Sequence, residues 1–180
     1  MTKALWQTER NMSVKSFTHQ TVYFCIGLSI IFFQILPLQT TPQTWSGPNV
    51  LLVFFAAIVT KRPEFASSFL IAFIFLIEDF FLMRPPGLMS SLTVLGFYFL
   101  KRKIQNQEEN SLLFNWGNVA TCLTLILLLF YFISVMLFIP SAGFRLTLME
   151  IIVTLTLYPI FSVLIGSFYK LNPAYAEKII

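Results

Sequence analysis

Charge is scarce in this chain. Of its 180 residues only 11% are charged, against 57% hydrophobic, and the mean hydropathy is +0.77. Soluble domains carry about twice that share of charge, so such a surface calls for lipid. Histidine is nearly absent: His19 is the single one, which excludes a histidine-rich metal site. The two cysteines, Cys25 and Cys122, stand in apolar runs without CxxC spacing and read as small core residues, not as a disulfide framework. No GxxxG pair marks a helix-dimerisation face. No serine, cysteine and histidine arrangement suggests a nucleophile, so an enzyme is not expected, and no cofactor is implied. A net charge of +4 does not point to nucleic acid, because the basic residues lie at the ends of apolar runs.

What is present is a series of apolar runs separated by short polar breaks. The first, Tyr23 to Leu36, follows a polar start and lacks a cleavage site after it, so it reads as a retained anchor. Leu38 to Pro48, with two prolines and one glycine, reads as a nonhelical loop. A second helix is expected from about Asn49 to Thr60, and Lys61-Arg62-Pro63-Glu64 turns the chain into a third, Phe65 to Met83. Arg84-Pro85-Pro86-Gly87 makes the next break. A fourth helix, Leu88 to Leu100, is expected to end at Lys101-Arg102-Lys103. A fifth covers Leu112 to Ile139, and a sixth, beyond the loop Pro140 to Arg145, covers Leu146 to Phe168.

The expected fold is therefore an all-α integral membrane protein, a six-transmembrane-helix bundle over residues 22–170, with a cytoplasmic N-terminal segment 1–21 and a cytoplasmic tail 171–180. Helices two and four supply only about 13 apolar residues each, fewer than the roughly 20 that cross a full hydrocarbon core, so short spans and re-entrant segments both have to be weighed. The charges favour six crossings. With the N-terminus inside, Lys3, Arg10, Lys15, Lys61, Arg62, Lys101, Arg102, Lys103, Lys170 and Lys178 are cytoplasmic, and only Arg84 and Arg145 lie outside. Lys61, Arg62 and the Lys101-Arg102-Lys103 triplet act as cytoplasmic anchors, with anionic lipid as a further contact of the triplet. Trp6, Trp45 and Trp116 fall near the expected boundaries, as belt residues do, and His19 reads as interfacial.

A polar mouth is expected at the outer end. Glu78 and Asp79 sit about 20 Å up helix three from the cytoplasmic turn. Acids at that depth need a partner, and Arg84 is the nearest cation in sequence. In one reading, one acid pairs with Arg84 or caps the Pro-Pro-Gly turn while the other reaches the headgroups. In a sharper one, Glu78, Asp79, Arg84, Arg145 and Glu150 converge, with Pro86 and Gly87 at the rim. In helix six, Pro159 beside Tyr158 removes one backbone hydrogen bond, so a kink is expected there, as a packing adjustment or as a docking groove.

The order of these features resembles the MreD family, the rod-shape-determining inner-membrane proteins of bacteria. The matching residues are Gln34-Ile35-Leu36-Pro37 closing the first helix, Pro48-Asn49 opening the second with Leu51-Leu52, Arg62-Pro63 at the cytoplasmic turn, Asp79 followed by Pro86-Gly87-Leu88, and Tyr158-Pro159 in the last helix. The chain departs from the pattern at Ala56-Ala57, where many members carry an aromatic, and at Glu78, a second acid beside Asp79. The resemblance implies a noncatalytic scaffold of the cell-elongation machinery, the elongasome. Such a protein binds MreC and, indirectly, MreB, RodA and a class B penicillin-binding transpeptidase, and helps position peptidoglycan synthesis to maintain cell shape. It implies a multi-pass protein of the bacterial inner membrane and leaves a homodimer open. The family fold is similar to the S-components of energy-coupling-factor transporters, so the alternative expectation is the substrate-binding subunit of a vitamin transporter.

Overall fold

The run Val50 to Lys61 has no polar face, and a helix that is apolar all round is stable only where other helices surround it. That is its place in the computed structural model, which describes residues 20–36, 47–63, 66–105, 112–139 and 143–170. Among these residues there are six helices and no strand: α1 (Gln20–Ile35), α2 (Val50–Lys61), α3 (Ser68–Phe81), α4 (Leu88–Gln105), α5 (Leu112–Met136) and α6 (Phe144–Lys170). Every residue of α2 from Leu51 to Val59 is buried. Tyr23 of α1 meets Phe54 edge-on, Phe75 of α3 lies 5.8 Å from Phe55 between ring centroids, and α4, α5 and α6 close the remaining sides.

Both ends of α2 are fixed by local chemistry. Asn49 caps it, its side-chain oxygen accepting from Leu52 N at 3.0 Å, while its own N–H donates to Thr154 Oγ1 of α6 at 3.1 Å. Thr154 lies ten residues into α6, about 15 Å along its axis, so α2 begins inside the bundle and not at its rim. At the other end Pro63 forbids continuation, and the last N–H, from Arg62, donates to Ile58 O. Thr60 near the end of α2 lies beside Tyr158 of α6, as Asn49 at its start lies beside Thr154, so α2 and α6 run in the same direction.

Two helix ends differ from sequence expectation for one reason. α3 stops at Phe81 and α5 at Met136, each in a Schellman arrangement: Arg84 N donates to Asp79 O and Met83 N to Phe80 O, and likewise Ile139 N to Ser134 O and Phe138 N to Val135 O. The left-handed position, usually glycine, is held by Met83 (φ +50°) and Phe138 (φ +54°), so no glycine announces either stop. α4 runs through Lys101-Arg102-Lys103 to Gln105 instead of ending at them. Lysine and arginine are good helix formers, and their charge is favourable at a helix C-terminus.

Two helices, over Asn115–Met136 and Phe144–Ser167, are long and apolar enough to cross a membrane. The bundle is apolar outside as well as inside: Phe32, Phe33, Phe69, Phe80, Phe81, Phe99, Ile152 and Val163 are all exposed. The segments 1–19, 37–46 and 171–180, with Trp6, His19, Trp45 and most of the expected Leu38–Pro48 loop, lie outside the described residues, as do residues 64–65, 106–111 and 140–142.

Candidate partner-binding site

The ends of α3 and α5 and the starts of α4 and α6 meet at one end of the bundle, and the acids of α3 lie there. Asp79 is fully buried. Its Oδ2 accepts from Gly87 N at 3.0 Å and from Ser90 N at 3.4 Å, the donors at the first turn of α4. Gly87 adopts φ +91°, which suits glycine, and lacks a side chain to cap the helix itself. Asp79 supplies that cap from the preceding helix, with its charge at the positive end of the α4 dipole. Ser90 Oγ then donates to Ala72 O at 2.9 Å, which ties the two helices together. Asp79 is thus a structural residue first.

Glu78 is different. It is 1% exposed and does not reach the exterior, although the neighbouring side chain also points inward. Its Oε2 has no hydrogen-bond partner among the described residues, and Asp79 Oδ1 shares that state. Arg84, Asp79 and Glu150 are the charged groups within electrostatic reach of Glu78. The Arg84 guanidinium lies 5.2 Å from the Phe130 ring centroid, a cation–π distance. Arg84 and Glu150 both line a cavity of about 220 Å³ between α4, α5 and α6, together with Tyr131, Ser134 and Thr147.

The structure therefore brings four of the expected residues together: Glu78, Asp79, Arg84 and Glu150. Arg145 is exposed on the first turn of α6 and does not line the cavity, because the buried face of α6 is the one carrying Thr147, Ile151, Thr154 and Tyr158. Pro86 is exposed at the rim and Gly87 half-buried. Tyr158 is buried in the α2–α6 seam, whereas Pro159 faces outward within a helix that continues past it. Lys61, Arg62 and Lys101 to Lys103 end α2 and α4 and so lie at the opposite end from the acids.

Tyr131, Ser134 and Thr147 were not among the expected site residues. A signal for the α6 side does exist in the sequence: Thr147, Glu150, Thr154 and Tyr158 recur at helical spacing and form a polar stripe on an otherwise apolar helix. Glu78, Asp79 and Glu150 share this end with Arg84 and the exposed Arg145, and the Glu78 oxygen without a partner among the described residues suits a hydrogen-bond-donating group. Among the described residues no three His, Cys, Asp or Glu side chains are arranged to hold a metal ion. Comparison of the chain with protein-family models, with curated proteins and with solved structures finds no match.

Proposed function

We propose that the chain is a noncatalytic, multi-pass scaffold of the MreD type in a bacterial inner membrane, which binds MreC through its polar outer mouth and helps position peptidoglycan synthesis. The observation that carries this reading is Glu78: a carboxylate oxygen held out of solvent without a hydrogen bond among the described residues, beside a cavity bordered by Arg84 and Glu150. A buried polar group left in that state is costly unless something supplies the missing donor. A basic or amide side chain from a partner segment would do so. The exposed phenylalanines favour a lipid surroundings, and ten of the twelve basic residues fall on one side when all helices alternate in direction. On this reading α2, only 12 residues long, is a partial span sheltered by its neighbours, which is how a helix too short for a bilayer is tolerated inside one.

The same cavity favours a second reading, the substrate-binding subunit of an energy-coupling-factor type transporter. Its volume of about 220 Å³ argues against that, because small-molecule sites usually enclose roughly 300–1,000 Å³. The test is Glu78→Gln, which keeps shape and volume while removing the charge. Copurification of MreC should fall by about tenfold, the equivalent of a lost charge-assisted hydrogen bond. Unchanged copurification at wild-type expression would sink the assignment of the site.

A further inference from the structure

A depression runs lengthwise between α4 and α5 on the outside of the bundle. Its floor is Gly96, where an added Cβ would lie 2.6 Å from Ile126 Cδ1 and 2.8 Å from Ile126 Cγ1, so the two helices approach as closely as only glycine allows. Cys122 Sγ donates to Gly96 O at 3.3 Å across the same floor. Leucines and Phe99 form the walls, and the space measures about 420 Å³. One end is polar. α4 and α5 are packed neighbours joined through only residues 106–111 and so run antiparallel, which puts Lys103 and Asn118 at one end and Leu92 and Leu129 at the other.

From Leu92 to Lys103 the helix axis advances about 16 Å. That is close to half of a hydrocarbon core about 30 Å thick, or one leaflet. We infer that this groove is a phospholipid site, in which an acyl chain of an anionic inner-leaflet lipid lies over Gly96 with its phosphate at Lys103. The inference rests on the membrane reading above but not on the MreC partner. Charge complementarity selects the occupant: Lys101, Arg102 and Lys103 cluster at the end of the groove that the positive-inside rule assigns to the cytoplasmic leaflet, where anionic lipids concentrate. A partner helix, 10–12 Å across, would rest on the exposed rims Leu95 and Phe99 and leave the floor unfilled.

The full chain, purified in mild detergent and incubated with vesicles of equal phosphatidylglycerol and phosphatidylcholine, is examined for retained lipid by native mass spectrometry. One phosphatidylglycerol per chain should remain in preference to phosphatidylcholine. Lys103→Gln, at an exposed position that cannot disturb packing, should lower that retention about fivefold. Thr121→Trp, which fills the groove from its exposed side, should abolish it for either headgroup. Equal retention of both lipids, or retention untouched by both variants, overturns the site. So does a photo-crosslinker at Thr121 that captures a protein helix instead of lipid in native membranes. A chain that stays in solution without detergent would overturn the membrane reading itself, a result distinct from loss of headgroup preference in a detergent-extracted protein.

Discussion

Asp79 and Glu78 are adjacent and both buried, yet they do different work. Asp79 holds two backbone donors at the start of α4, so Asp79→Ala should cost about 1–3 kcal/mol by leaving them unsatisfied, and Asp79→Asn less, because an amide oxygen still accepts. Thermal unfolding in detergent measures the difference; equal Tm values for wild type and Asp79→Ala would contradict the capping role. Glu78→Gln should leave Tm within error and change only partner retention, which separates the two acids experimentally. Met83 and Phe138 hold left-handed backbone at the ends of α3 and α5. Glycine at either position should raise stability by about 1 kcal/mol, since a side chain in that conformation costs roughly this much; a lowered Tm in both variants would show that these side chains contribute packing that outweighs the strain. Composition could not reveal the two stops, because the usual glycine is missing from both. The turn at Pro85, Pro86 and Gly87 was legible, because its residue types restrict the backbone directly.

Among the elements, α2 and the α4–α5 pair carry the clearest tests. Thr154→Val keeps the shape of the side chain but withdraws the acceptor for Asn49 N, and should destabilise the bundle by about 1–3 kcal/mol, the cost of a buried orphan donor. If Thr154→Val melts like wild type, α2 is not anchored to α6 in this way. Gly96→Val should cost about 1–3 kcal/mol by overpacking against Ile126, with a large part recovered in the double variant Gly96→Val, Ile126→Ala. Simple additivity of the two changes would mean that the helices do not meet there. The existence and order of the helices could be read from the apolar runs and their breaks. The ends could not always be: Lys101 to Lys103 marked a change of surroundings, not a change of backbone, and α4 continues through them. Nor did the apolar run of α2 distinguish a helix facing lipid from one enclosed by neighbours. Both environments select the same residues, and only the packing of five helices around it tells them apart.

For the whole molecule, the described bundle carries its acids at one end, together with Arg84 and Arg145, and only basic charges at the other, with an apolar girdle between them. Glu78, Asp79 and Glu150 mark the first end and Lys61, Arg62 and Lys101 to Lys103 the second. The polar mouth was partly legible: the acids and Arg84 stand out in so apolar a chain, whereas Ser134 and Thr147 acquire meaning only when α5 and α6 are brought face to face. The proposal that this end receives a partner's polar group in a membrane scaffold is tested most directly by affinity purification of the chain from its native membrane in mild detergent. Mass spectrometry would identify the proteins and the small molecules that are retained. Recovery of MreC with the wall-synthesis enzymes, reduced about tenfold by Glu78→Gln, is the expected result; recovery of a transporter ATPase module or a bound vitamin in their place would contradict it.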